Sequence, residues 1–145
     1  MKWVLLAVGG LVLIVAIVAL IGSLLPRDHT AGRMLTIRRS PPEVWPVLTR
    51  TMNASSVPVD VLESHPPRRL VTRVKDTEKM FGGTWTVAIA PAADGSTITV
   101  REDGWVANPI FRFVSRFVIG HHATMDGMLK NVAKEFGEPP ALSGE

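Results

Sequence analysis

The stretch Asn108–Phe136, NPIFRFVSRFVIGHHATMDGMLKNVAKEF, decides the fold because its pattern is that of one long amphipathic helix. Asn108 suits an N-cap and Pro109 a first helical position, and Gly137 with the prolines after it is typical of a helix end. At about 100° per residue, the apolar side chains fall within roughly 40° of His121. They are Ile110, Val114, Phe117, Met125, Met128 and Val132. The sequence therefore predicts a continuous helix over 108–136 with His121 at the centre of its apolar face.

The chain begins with an apolar run that contains no charged residue from Trp3 to Leu25. A helix of this length rises roughly 34 Å, enough to cross a hydrocarbon core of about 30 Å. We therefore predict a transmembrane anchor over residues 1–26. A cleaved signal peptide is the alternative, since Lys2 supplies a short positive n-region, but the run is long for an h-region and no A-x-A-like site precedes Pro26.

Charge and composition narrow the expected partners. Four arginines follow the apolar run within a few residues of one another, against Lys2 before it, which favours a plasma (inner) membrane protein with its soluble domain on the cytoplasmic side. We expect membrane lipids and an apolar small molecule as partners, and the sequence leaves the identity of any protein partner unknown. A net charge of +3 without aromatic interleaving does not indicate nucleic-acid binding. The absence of cysteine excludes disulfides and thiolate metal sites.

The segments between these two apolar stretches alternate as strands and one short helix. Residues 27–32 are predicted to be a linker, and a first strand, RMLTIRRS, follows. SPPEVWPVLTR begins a helix with Ser40 and Glu43 in capping-box positions and Pro46 within its first turn. Four strands follow: VPVDVLES, RRLVTRVKD, and the hairpin TWTVAIAP and STITVREDGWV. The tail, residues 139–145, is predicted to be disordered.

This order, with the stretches PPEVWPVLT, PPRRLVTRV, FGGTWTVAIAP and TVREDGWVANPIFRFVSRF, resembles a subgroup of the START-like (SRPBCC, polyketide cyclase/dehydrase-like) superfamily that carries an N-terminal transmembrane helix. The resemblance covers a domain at 33–138. It implies an α+β helix-grip fold, an antiparallel sheet gripped by a long C-terminal helix. The middle is reduced, because TRTMNASSVPVDVLESH leaves room for little more than one strand.

The resemblance implies an apolar or lipid-like small molecule bound between the C-terminal helix and the sheet, with no cofactor. Two alternatives stay open. One is a cyclase or dehydrase-like enzyme that uses His121 and Glu102. The other is a packed scaffold or partner-binding module, in which the shortened middle has removed the cavity. Catalysis is thus left undecided.

Glu102 is predicted to continue the inward side of its strand, where His121 would be its partner. The competing interpretation is a bulge at Gly104 that turns Glu102 to water. The other candidate ligand-binding residues are Trp85, Trp105, Phe117 and Met125. In each case plain core packing, or for His121 a satisfied core histidine, is the simpler alternative.

His122 and Asp126 lie one helical turn apart on the flank of the predicted helix, where an i, i+4 surface pair is the simple account. A zinc site needs three or four convergent ligands, and His29 and His65 are the remaining histidines. We therefore predict no metal site. No nucleophile motif or phosphate loop is visible either.

Overall fold

The computed structural model describes residues 1–55, 57–75 and 80–144. The helices are α1 (Lys2–Leu24), α2 (Pro41–Asn53), α3 (Pro109–Val114) and α4 (Ala123–Glu135), with a π-helical turn at Ser115–Ile119. The strands are β1 (Asp28–Ile37), β2 (Val59–His65), β3 (Arg69–Val74), β4 (Phe81–Ala92), β5 (Gly95–Val106) and β6 (Ala141–Gly144). They form one six-stranded antiparallel sheet in the order β2-β3-β4-β5-β1-β6.

The central strands of the sheet are long and regular. β4 and β5 pair without a register shift from Phe81 opposite Val106 to Ala92 opposite Gly95, which confirms the predicted hairpin. β1 pairs along its own full length with the edge of β5 that faces away from β4. Alternate residues of these strands form the core with α2 and α4, because successive side chains point to opposite faces. The largest fully buried side chains include Leu35, Leu48, Ile98, Met125 and Leu129. The predicted α+β helix-grip class is confirmed.

Helix α2 begins with the predicted capping box. The Glu43 carboxylate accepts a hydrogen bond from the Ser40 backbone N–H at 2.9 Å, and the Ser40 side chain receives the reciprocal bond. Pro46 lies inside the helix rather than in its first turn, so this prediction was wrong. The cost is one backbone hydrogen bond, because proline has no N–H to donate to the carbonyl one turn earlier.

Two predicted boundaries are corrected by the pairing of β1. The segment 27–32 is not a linker, because β1 already begins at Asp28, which lies opposite Trp105 of β5. The tail is not disordered at Ala141–Gly144, which forms β6 on the outer edge of β1. Leu142 packs against the core, and this contact stabilises the pairing of the short strand with β1.

The predicted continuous helix over 108–136 is broken. After α3 the chain widens into the π-helical turn, in which the Gly120 N–H donates to the Ser115 carbonyl at 3.0 Å. Gly120 then adopts φ +80°, a conformation that side chains disfavour, and α4 starts three residues later at Ala123. The predicted apolar face is divided as a result. Met125, Met128 and Val132 stay in the core, whereas Phe117 is exposed.

We expect Gly120→Ala to lower the free energy of unfolding by about 1–3 kcal/mol, because an alanine at this φ and ψ is strained. A continuous helix would give the opposite sign, since alanine is the better helix former. Thermal and urea unfolding of the full chain in detergent, followed by circular dichroism, measures the difference.

Gly127→Ala is the matched control. Gly127 lies inside α4, and no atom lies within 4 Å of an added Cβ. This substitution should raise the free energy of unfolding by up to about 1 kcal/mol. If both substitutions stabilise the chain, the break at Gly120 is wrong.

Candidate functional site

A cleft of about 920 Å³ lies between the concave face of the sheet and the helices α2 and α4. We call it the grip cavity. Its apolar walls include Met52, Val59, Val74, Phe81, Trp85 and Met128. The Arg50–Glu135 ion pair, 2.8 Å between Nη2 and Oε2, lies at its exposed end, and Glu102 lies among its lining residues. A second cavity of about 350 Å³ beneath α3 shares Phe81, Gly82 and Glu102 with it.

Two imidazoles and a carboxyl group meet in the lining of the smaller cavity, and of these three groups Glu102 also lines the grip cavity. The rings of His29 and His121 stack with centroids 4.1 Å apart and planes 20° apart. Nε2 of His29 lies 3.8 Å from Oε1 of Glu102. The Trp85 side chain, opposite Glu102 in the β4–β5 register, hydrogen-bonds the carboxylate. We call His29, Glu102 and His121 the His–Glu cluster.

Strand periodicity places two of the three members of the cluster. Glu102 follows Ile98 and Val100 on the inward face of β5, as predicted, and the bulge alternative is wrong because the register runs unbroken past Gly104. His29 lies directly opposite Gly104. A Cβ at position 104 would lie 2.7 Å from the His29 ring and 3.2 Å from Oε1 of Glu102. Glycine at 104 thus makes room for both polar side chains.

His121 reaches the cluster by a route different from the predicted one. It lies in the turn between Gly120 and α4, not at the centre of a helical face, so its predicted central position over the sheet was wrong. Its Nδ1 lies 3.3 Å from the Ser115 hydroxyl oxygen, within hydrogen-bond reach. The predicted partnership with Glu102 is mediated by His29, which touches both groups.

Burial sets the protonation of the cluster. Loss of hydration raises the pKa of Glu102, and the Trp85 hydrogen bond and the nearby histidines oppose this rise. Loss of hydration also lowers the pKa of His29 and of His121, and the His29 charge lowers the His121 pKa further. All three shifts favour neutral groups, since burial in a low dielectric disfavours charge. Shifts in this direction lower the cost of placing three ionisable groups in a partly buried site.

The four other predicted ligand-binding residues lie in different parts of the structure. Trp85 lines the grip cavity and Trp105 the smaller cavity. Met125 is fully buried in the core, which is its simpler interpretation. Phe117 is 59% exposed and lines neither cavity, so its predicted contact with the sheet interior was wrong. The π-helical turn rotates it away from the sheet.

His122 and Asp126 do not form the expected surface pair. Asp126 instead accepts a hydrogen bond from Nε of Arg33 at 2.7 Å, which ties α4 to β1. Nδ1 of His122 is buried and has no hydrogen-bond partner among the described residues. Within residues 1–55, 57–75 and 80–144, no three His, Asp or Glu side chains converge as metal ligands would.

Sequence reasoning missed His29 because residues 27–32 were assigned to a linker. A usable signal was present in the alternation of β1, where His29, Ala31, Leu35 and Ile37 share one parity. Extending the strand pattern back by five residues from Met34 would have placed an imidazole on the inward face, beside Glu102.

Comparison with solved structures supports the fold at low sequence identity. Protein MLL2253 from Mesorhizobium loti is 12% identical, with a TM-score of 0.58 over 75% of this chain and 97% of that one. CalU16 from Micromonospora echinospora is 14% identical, with a TM-score of 0.54 over 77% and 76%. The di-domain ARO/CYC StfQ from the steffimycin biosynthetic pathway is 12% identical, with a TM-score of 0.52 over 77% of this chain and 52% of that one.

These likenesses show the fold alone. No protein-family model matches the chain, and no curated protein matches it. The chain therefore shares the helix-grip α+β fold of these neighbours, and its own cavities are the basis for assigning a function.

We expect Glu102→Gln to raise the thermal midpoint of unfolding at neutral pH, because glutamine keeps an acceptor for Trp85 and removes a charge that burial disfavours. The sign follows from linkage. A carboxyl group with a raised folded pKa stabilises the fold below its usual value of 4.5 and loses that contribution as the pH rises through the folded pKa. The gain from Glu102→Gln should therefore shrink as the pH falls through the folded pKa towards 4.5, and it should be absent below 4.5.

Glu43→Gln is the control with opposite sign. Hydrogen bonds from Ser40 lower the pKa of Glu43, so its carboxylate stabilises the fold above the usual pKa and loses this effect as the pH falls. Glu43→Gln should lower the midpoint at neutral pH, with little effect in acid. A lower midpoint for Glu102→Gln at neutral pH would mean that the charged carboxylate stabilises the site.

Proposed function

We propose that this protein is a membrane-anchored START-like domain that binds an apolar or lipid-like molecule in the grip cavity. The observation that carries the proposal is the cavity itself. Its volume of about 920 Å³ is at the upper end of the roughly 300–1,000 Å³ of small-molecule sites, and it persists although a single described strand lies between α2 and β3. A fully packed scaffold would leave no space of this size.

The lining favours an amphiphile with a long apolar part. Methionine and valine side chains from α2, α4 and the outer strands supply apolar contact, and methionine adapts to guests of variable shape. The polar end of such a guest would meet Glu102 and Trp85, the polar groups of the inner lining. A charged small metabolite fits less well, because the described lining residues place their cations and anions at the exposed end.

Anchoring rests on α1. The helix has 23 residues, is long and apolar enough to cross a bilayer, and leaves nearly all its side chains exposed. A signal sequence or a buried helix passes the same test of length and composition. Exposed apolar side chains all along the helix favour lipid as its surroundings, and the arginines after it favour a cytoplasmic domain at the plasma (inner) membrane.

Binding is favoured over catalysis by the geometry of the His–Glu cluster. The shortest carboxyl–imidazole distance is 3.8 Å, longer than the roughly 2.6–3.2 Å over which a proton is transferred directly. The cyclase or dehydrase alternative needs a guest that draws His121 and Glu102 together, so ligand binding is the first step to test in either case.

We expect brominated lipid to quench Trp85 fluorescence in a chain that keeps Trp85 and carries phenylalanine at its three other tryptophans. The chain is reconstituted in lipid nanodiscs after circular dichroism confirms its fold. Trp85 lines the grip cavity, so bromine reaches it when an acyl chain enters. Steady-state and time-resolved fluorescence measure the quenching.

Asn131→Phe and Lys130→Phe form a matched pair for this experiment. Asn131 lines the cavity, whereas Lys130 is exposed one residue earlier and does not. Phenylalanine at 131 should reduce the quenching several-fold, and phenylalanine at 130 should leave it unchanged. Absence of quenching in the parent chain would favour the packed scaffold and end the binding proposal.

A further inference from the structure

Four apolar side chains in and after α3 face outward. Phe111 is 48% exposed, Phe117 59%, Val118 70% and Ile119 62%, and we call this group the α3 patch. It exists because the π-helical turn and Gly120 rotate this segment off the sheet, on which a continuous helix would have placed Phe117. Contiguous exposed apolar groups of this kind mark an interaction surface in a folded domain.

The segment that carries the patch is fixed to the last turns of α1. Gly22 of α1 packs on Pro109 so closely that an added Cβ would lie 1.9 Å from the Pro109 carbonyl oxygen. The Arg112 guanidinium donates to the Leu25 carbonyl at 3.0 Å and to the Gly22 carbonyl at 3.4 Å. It also donates to the Val106 and Ala107 carbonyls at 3.0 and 2.8 Å. The domain is thus joined rigidly to the end of α1.

This junction sets the depth of the patch. Gly22 lies two residues before the end of α1, so Pro109 lies within about 3 Å of that end along the helix axis. The headgroup layer on each side of the hydrocarbon core is roughly 5–8 Å thick. Because α3 packs against α1, it lies at this level when α1 spans a membrane.

Charge is consistent with the same surroundings. From Gly104 to Met125 the sequence contains no acidic residue, and its cations are Arg112 and Arg116. Arg112 is used at the junction, while Arg116 is exposed beside the patch. A cation next to exposed aromatic and aliphatic side chains is typical of an interfacial helix on anionic lipid.

We propose that the α3 patch is embedded in the headgroup and upper acyl region of the bilayer beside α1. The inference rests on the anchoring part of the proposed function, and it adds a second membrane contact that fixes how the domain is oriented on the surface. The occupant of the patch is lipid, because the patch lies in and directly after α3, which packs against the apolar helix α1.

The chain has no cysteine, so single labelling sites can be introduced cleanly. We would attach the fluorophore NBD at Val118→Cys, at Val61→Cys as a control, and at Val12→Cys to report on α1. Val61 is the same residue type, 59% exposed on the outermost strand β2, far from the end of α1. Each full-length protein is placed in phosphatidylcholine–phosphatidylglycerol vesicles and titrated with a nitroxide-labelled lipid or with iodide.

We expect the lipid-borne nitroxide to quench the label at 118 several-fold more than the label at 61, with the order reversed for iodide. If the label at 12 is quenched by lipid but the label at 118 behaves like that at 61, the patch proposal is wrong and the anchor stands. If the label at 12 is not quenched by lipid, both fail. Shielding of position 118 from both quenchers, with disulfide crosslinks between two chains of the unlabelled Val118→Cys variant, would assign the patch to a second copy and overturn the proposal. None of these readouts depends on a guest in the grip cavity.

Discussion

The helical segment after β5 has two partners that a straight helix cannot satisfy together. Its first turns must pack on the end of α1, and its last turns must cover the curved sheet. The break at Gly120 resolves this conflict, because a residue at φ +80° redirects the chain between the two surfaces. Arg112 makes the first contact specific by donating to the Leu25 carbonyl and to the Gly22 carbonyl, which also accepts the Leu25 N–H, at the C-terminal end of α1.

The His–Glu cluster is a product of the same break. His121 is brought over His29 by the turn after Gly120, and Ser115 of the π-helical turn lies within hydrogen-bond reach of its ring. At the centre of the apolar face of one continuous helix, His121 would have been enclosed between that helix and the sheet. In the observed arrangement the imidazoles line the smaller cavity beneath α3, and partial burial lowers the pKa of both.

The parts of the fold that follow short-range rules could be predicted from sequence. The β4–β5 hairpin, the capping box at Ser40 and the inward direction of Glu102 depend on alternation and local hydrogen bonds, and all three are confirmed. The prediction of one helix over 108–136 was wrong because an apolar period of 3.6 residues is the same whether the helix packs on a sheet or on another helix. The sequence pattern does not record the tertiary contact of this segment with α1. This contact shows that Phe117 lies off the sheet. β6 was missed for a similar reason, since its stability comes from pairing with β1 and the contact of Leu142.

The location of the His–Glu cluster along the sheet relates the site to α1. β5 ends at Val106, whose N–H donates to the Arg27 carbonyl just after α1, and Glu102 lies four residues before that end, or about 13 Å along the strand. Phe81 and Gly82, which also line the grip cavity, pair with Val106 and Trp105, so this cavity extends past the level of Glu102 towards the α1 end of the sheet. Charge is costly in a site that is shielded from water. A cluster whose members are all shifted towards their neutral forms avoids that cost, which is the physical reason that a carboxyl group and two imidazoles can line an apolar cavity so near the apolar helix.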